Sequence, residues 1–143
     1  MNVAAILSGK GRTVVTVRSE TSLEEIAKKL ASKRIGAIVV VGAAGRIDGI
    51  ISERDIIKAV SERGASCLLE PVSLIMTRTV QTCDIADTLD ELMERMTIGR
   101  FRHLPVVEDG NLVGIVSIGD VVKHHIAEVE MEASALRGYI VAG

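Results

Sequence analysis

Gly49-Ile50-Ile51-Ser52-Glu53-Arg54-Asp55 returns 65 residues later as Gly114-Ile115-Val116-Ser117-Ile118-Gly119-Asp120. Upstream of this pair the parallel continues at an offset of 66. Val14-Val15-Thr16-Val17 lies over Val80-Gln81-Thr82-Cys83. Leu23, Ile26, Ala27 and Leu30 lie over Leu89, Leu92, Met93 and Met96, and Ile38-Val39-Val40 lies over Leu104-Pro105-Val106. The offset shortens because the turn Gly42-Ala43-Ala44-Gly45 has one residue more than Glu108-Asp109-Gly110. A repeat of this kind decides the architecture. Each copy of ~60 residues is too small to bury much core alone. The sequence therefore predicts two halves packed on each other, with any site in one copy matched in the other.

Each copy reads strand, helix, strand, turn, strand, helix. Ser22 with Glu25, and Thr88 with Glu91, have capping-box spacing and open helices whose apolar residues recur at helical intervals. Ile38 to Val41 and Leu104 to Val107 are continuous apolar runs, as in strands covered on both faces. Gly45-Arg46 and Gly110-Asn111 supply turn chemistry before the strands Ile47 to Ile51 and Leu112 to Val116. The expected class is α/β, with a small mixed sheet and two helices in each half. The expected divisions are residues 7–64, a linker at 65–76 with Pro71 in it, residues 77–126, and a helical tail at 127–143. In the tail, Val122, Ile126, Val129, Ala133 and Leu136 are spaced 4, 3, 4 and 3, a narrow a/d-like seam. That seam suits a helix lying on its own domain or one docked on another subunit.

Hydrophobic residues make up 48% of the 143 but aromatics only 1%, so the core is aliphatic rather than an aromatic-walled cavity. No run approaches the ~20 apolar residues of a membrane span, and Met1 to Ser8 lacks the pattern of a signal peptide. Cys67 and Cys83 have no ligand-like spacing and read as reduced thiols, which with the rest implies a cytoplasmic protein. A net charge of −2 argues against a nucleic-acid surface. Lys10-Gly11-Arg12 lacks the Ser/Thr after the lysine and the strand–loop–helix context of a phosphate loop. His124-His125 are adjacent on a helix and point about 100° apart, unlike paired metal ligands. No nucleophile–base pair and no metal-ligand cluster recurs, so neither catalysis nor a metal is expected.

The repeated Gly-apolar-apolar-Ser-x-x-Asp has two readings. In one, Ser and Asp only cap a helix and place acidic charge at its positive end. In the other, the strand-to-helix corner presents backbone N–H groups to a phosphate, the Ser hydroxyl assists, and the Asp accepts from two ribose hydroxyls. Arg54 would add a charge-assisted contact to phosphate.

With these stretches in order, twice over, the chain resembles the cystathionine-β-synthase (CBS) domain family, whose tandem pair is called a Bateman module. The resemblance runs from about Leu7 to Ile126. Its anchors are Thr21-Ser-Leu-Glu-Glu-Ile, Ile35-Gly-Ala-Ile-Val-Val-Val, Arg102-His-Leu-Pro-Val-Val and the two motifs quoted first. It implies two CBS domains packed as a pseudo-two-fold pair, followed here by a C-terminal helix. It also implies a regulatory, non-catalytic module holding an adenosine compound (AMP, ADP, ATP, NAD(H) or S-adenosylmethionine) in the cleft between its domains.

By the same resemblance the ribose would fall to Asp55 and Asp120 with Ser52 and Ser117. The adenine would fall to backbone near Thr16 and Thr82 and to Gly36, Ala37, Ile38, Arg102, His103, Leu104 and Pro105. Arg54, Arg102 and His103 would lie near phosphates, with Arg100 and Lys10 as further candidates. Since Arg54 is matched by Gly119, and Arg102-His103 by Gly36-Ala37, two unequal sites are expected. The resulting expectation is a homodimeric nucleotide sensor acting on an effector protein, without membrane or nucleic acid. The rival is a purely structural dimerisation module.

Overall fold

The capping residues found in the sequence set where the helices begin. In the structure, a computed structural model that describes residues 1–142, Ser22 precedes α2 (Leu23–Lys33) and its hydroxyl accepts from the Glu25 amide. Thr88 precedes α4 (Leu89–Gly99) in a full capping box with Glu91. Ser52 precedes α3 (Glu53–Arg63) in the same way, with Asp55 as its reciprocal partner. Ser117 precedes α5 (Ile118–Ala142), which is longer than the seam suggested. Gly143, the last residue of the expected tail 127–143, lies outside the described residues.

The chain forms two compact units. One comprises Thr13–Gln81 with Asp109–Leu112. Its sheet has the order β1-β2-β3, from β1 (Thr16–Val17), β2 (Ala37–Val41) and β3 (Ile47–Ser52). β1 runs parallel to β2, with Val17 opposite Val40, and β3 is antiparallel to β2, with Ala37 opposite Ser52. Leu23, Ile26, Ile38, Val40 and Ile51 fill its aliphatic core. Residues 65–76 contain two 3-10 turns, Ala65–Leu69 and Val72–Leu74, whose Cys67, Val72 and Met76 join that core.

The other unit comprises Met1–Arg12, Thr82–Glu108 and the chain from Val113 onward. It holds β4 (His103–Glu108) and, from Val113 onward, β5 (Asn111–Ser117), the two strands of an antiparallel hairpin. The counterpart of β1 shrinks here to a single parallel bridge from Cys83 to Val106, the same register as Val17 to Val40. Burial, reinforced by the nearby Asp87 carboxylate, pushes the Cys83 thiol up to about 12, so it is a packing residue rather than a nucleophile. Between β4 and β5, Asp109 and Gly110 have φ of 51° and 78°, the signature of a tight hairpin turn.

A helix that the repeat did not announce, α1 (Val3–Lys10), adds Val3, Ile6 and Leu7 to the core of this unit. Asn2 caps it by accepting from the Ala5 amide. Its docking explains the second repeated glycine: a Cβ on Gly114 would stand 2.7 Å from Leu7 Cδ2. On Gly49 it would stand 2.6 Å from Met76 Sδ and 2.9 Å from the Thr77 carbonyl oxygen. Both glycines serve close packing.

The helices before β2 and β4 end alike. Arg34 and Arg100 sit at the C-caps of α2 and α4 with φ of 54° and 55°, in the left-handed region. A side chain there costs about 1 kcal/mol or more, partly offset by the stiffer unfolded chain. Arg34→Gly and Arg100→Gly should each stabilise the fold by about 0.5 kcal/mol. The check is a denaturant titration in which the midpoint rises and the slope stays fixed.

Candidate functional site

In each unit the strand-to-helix corner is built from the same three bonds. The Asp55 carboxylate Oδ2 accepts from the Ser52 amide at 2.9 Å, and the Ser52 hydroxyl accepts from the Asp55 amide at 3.3 Å. The equivalent distances for Asp120 and Ser117 are 2.8 and 3.1 Å. The first helical amide is taken as well: Glu53 N–H donates to the Gly36 carbonyl at 3.0 Å, and Ile118 N–H to the Arg102 carbonyl at 2.8 Å. Of the first three amides of each helix, only Arg54 N–H and Gly119 N–H lack an acceptor among the described residues. The anion cradle expected at each corner is thus narrowed to one amide.

The corner bonds also gather most of the residues singled out from the sequence. In the first unit they join Gly36, Ala37 and Ile38, at the start of β2, to Ser52, Arg54 and Asp55. Ala37 pairs directly with Ser52 across the sheet. Ile38 is fully buried, with its side chain in the core of this unit. Thr16, on β1, is exposed and pairs with Val39.

In the second unit the same bonds join Arg102, His103, Leu104 and Pro105 to Ser117 and Asp120. Leu104 and Pro105 are buried, His103 is half-buried and Arg102 is exposed. Thr82 is differently placed from Thr16, because its carbonyl accepts from the Arg95 guanidinium at 2.7 Å.

The two carboxylates differ. Asp55 Oδ2 takes a second bond from the Ser52 hydroxyl at 3.0 Å, and Oδ1 has no hydrogen-bond partner among the described residues. Asp120 Oδ2 instead meets the Lys10 ammonium at 2.7 Å. The same ammonium donates to the Ile115 carbonyl at 3.0 Å, so Lys10 is a fixed part of the corner. Burial works against the charge of Asp120, but the Lys10 and Ser117 hydrogen bonds and the Lys10 charge outweigh it and hold the carboxyl below its ordinary value. No short spacing in the sequence pairs Lys10 with Asp120; only the docking of α1 brings them together.

Gly119 could carry a side chain. A Cβ there would come no closer than 3.6 Å to the Ser117 hydroxyl. The difference between Arg54 and Gly119 is therefore one of surface chemistry rather than of packing.

No group of three or more His, Cys, Asp or Glu side chains among the described residues could hold a metal. No helix among them is long and apolar enough to cross a membrane.

Residues 11–62 and 72–126 each match the family model of the CBS domain. The fold is shared with the CBS-domain protein ATU1752 of Agrobacterium tumefaciens, at TM-score 0.83 and 52% identity, over 85% of this chain and 91% of that one. It is also shared with the CBS domain pair of MJ0100 in complex with 5′-methylthioadenosine and S-adenosyl-L-methionine. There the TM-score is 0.79 at 29% identity, over 90% of this chain and 98% of the other. The CBS domain protein PAE2072 of Pyrobaculum aerophilum, complexed with AMP, matches at TM-score 0.74 and 30% identity, over 84% and 89% of the two chains.

A carboxyl whose pKa is lowered on folding adds stability above its ordinary pKa of 3.8, and that stability is lost as pH falls through the lowered value. Lys10→Met should therefore cost about 1 kcal/mol at neutral pH, as for a half-exposed ion pair. The gap from the parent should close in acid once Asp120 is protonated. Urea midpoints collected from neutrality down to strongly acidic pH check both halves of this statement.

Proposed function

This chain belongs to the CBS domain family and carries two copies of the domain. We propose that it is a regulatory module that binds an adenosine compound and passes its occupancy to an effector protein. The observation that carries this reading is the twice-built corner in which an Asp uses one carboxylate oxygen for the helix cap while the other has no hydrogen-bond partner among the described residues. Relatives at 29% and 30% identity that hold S-adenosyl-L-methionine with 5′-methylthioadenosine, and AMP, support the ligand class. In the proposed roles Asp55 and Asp120 accept the 2′- and 3′-hydroxyls through Oδ1, with Ser52 and Ser117 beside them. Backbone at Thr16, Gly36, Ala37, Ile38, Arg102, His103, Leu104, Pro105 and Thr82 meets the base, and Arg54, Arg102 and His103 meet phosphate.

The corners are proposed to differ in preference. Asp55 stands beside a helix whose second residue is Arg54, so its corner favours an anionic tail. The Asp120 corner has Gly119 in that place and already holds a cation, Lys10. An anionic ligand there draws Lys10 away from Asp120 toward its own charge, whereas a ligand with a cationic tail must compete with Lys10. AMP, ADP, ATP and NAD(H) are all compatible with unmodified ribose hydroxyls on a carboxylate.

The rival reading has its own observation in its favour. Both Ser–Asp pairs are complete helix caps, which a scaffold without ligand would also need. The two readings part in a thermal-shift panel on nucleotide-stripped protein with AMP, ADP, ATP, NAD, NADH, S-adenosylmethionine and GTP. A ligand at 100-fold over its Kd adds about 2.7 kcal/mol, a shift of several degrees. The sensor reading expects a shift with adenine compounds and none with GTP. It further expects Asp55→Ala and Asp120→Ala each to weaken one binding event at least tenfold while costing about 1 kcal/mol of stability. A flat panel, or unchanged affinity in both variants, would leave the scaffold reading.

A further inference from the structure

We infer that α5 pairs with α5 of a second copy of this chain as a parallel two-stranded coiled coil. The domain match ends at residue 126, but the helix runs on to Ala142. In its first turns Val121, buried, and His124, His125 and Glu128, half-buried, face their own unit. From Val129 to Val141 every residue is exposed. A free stretch of this length, interrupted by Gly138, is marginal as a helix in water unless something covers it.

The uncovered stripe is regular. Val122, Ile126, Val129, Ala133, Leu136 and Ile140 follow one another at intervals of 4, 3, 4, 3 and 4. Leu136 and Ile140 are 60% and 67% exposed. At 100° per residue this stripe points about 110° away from the face that α5 lays on its own unit, so both can be used at once. It begins in an open groove of about 510 Å³ lined by Ile118, Gly119, Val122, Lys123 and Ile126. In heptad terms Ile126, Ala133 and Ile140 take the a positions and Val129 and Leu136 the d positions. Isoleucine at a with leucine at d favours two strands.

The flanking charges choose the occupant and its direction. Glu132 falls at g and Arg137 at the following e, so a parallel partner in register brings Glu132 of each copy to Arg137 of the other. In the antiparallel alternative with full overlap, Lys123 would meet Arg137, Glu130 would meet Glu130, and Glu132 would meet Glu132. Every charged contact would then be between like charges, which opposes that pairing. Glu128, Glu130 and Glu132 also make an anionic lipid surface a poor occupant. A second copy in parallel is the partner whose charges fit.

The test uses the full chain in sedimentation equilibrium and mild oxidation. Wild type should be dimeric, Arg137→Glu should weaken self-association about tenfold, and Glu132→Arg with Arg137→Glu together should restore it. Leu136→Cys should form a disulfide-linked dimer, because in-register parallel strands place residue 136 opposite itself. Antiparallel strands would place it opposite Ile126. The native thiols do not confuse this readout, since Cys67 and Cys83 are 1% and 5% exposed. A monomeric wild type overturns the proposal. So does a dimer indifferent to Arg137→Glu, or a failure of Leu136→Cys to cross-link. Because Glu132, Leu136 and Arg137 are all exposed, none of these variants threatens the fold.

Discussion

A carboxylate one turn into a helix accepts from the amide of the serine before that helix, and much of each unit is positioned by that bond. It fixes the angle at which a buried strand turns into a half-exposed helix. It also brings the helix's first amide within reach of the carbonyl just ahead of the neighbouring strand, Gly36 for Glu53 and Arg102 for Ile118. Two separate stretches of each unit are thereby held as one corner. The glycine three residues before the serine completes it by letting a second segment lie directly on the strand, Met76 and Thr77 in one unit and Leu7 in the other.

Such a corner reconciles two demands that compete elsewhere. Polar groups placed for a ligand are usually a burden on the fold, because they must stay partly unsatisfied until the ligand arrives. Here Asp55 divides its oxygens, one satisfied by the cap and one left over. Asp120 makes a different compromise, since a lysine from α1 shares the capping oxygen. The two copies have kept their backbone geometry and diverged in the charge around it.

Much of this was legible in the sequence because the relevant physics is local. The caps at Ser22, Thr88, Ser52 and Ser117 are set by residues three apart, and the buried strands by continuous apolar runs. The repeat also transferred register: Val17 opposite Val40 is matched by Cys83 opposite Val106, even though the second copy keeps only a single bridge there. What could not be read depends on distant contacts. The Lys10–Asp120 pair joins residues 110 positions apart, and the Arg95 bond to the Thr82 carbonyl depends on how α4 lies. The first helix left a faint signal that a local reading could have used: Asn2 as a cap, Val3, Ile6 and Leu7 at helical spacing, and Gly11 after the end. Its structural counterpart is residues 71–76, where Pro71 bridges Ser22 as Asn2 bridges Thr88 and Met76 meets Gly49 as Leu7 meets Gly114, but the two segments share no visible sequence pattern.

That helix also sets an order of events at synthesis. Leu7 packs under Gly114 and Lys10 reaches Asp120, so residues 1–12 have nowhere to dock until the second copy has been made. Thr13–Gln81, whose contacts lie mostly within that span, has its partners available first. Closing a loop of about a hundred residues is slow relative to local folding, because its entropic cost precedes any reward. Until residues 114–120 have been made, the nascent chain therefore carries an undocked apolar segment, with Val3, Ile6 and Leu7 open to chaperones. Docking of α1 waits on a strand and a helix made more than a hundred residues later.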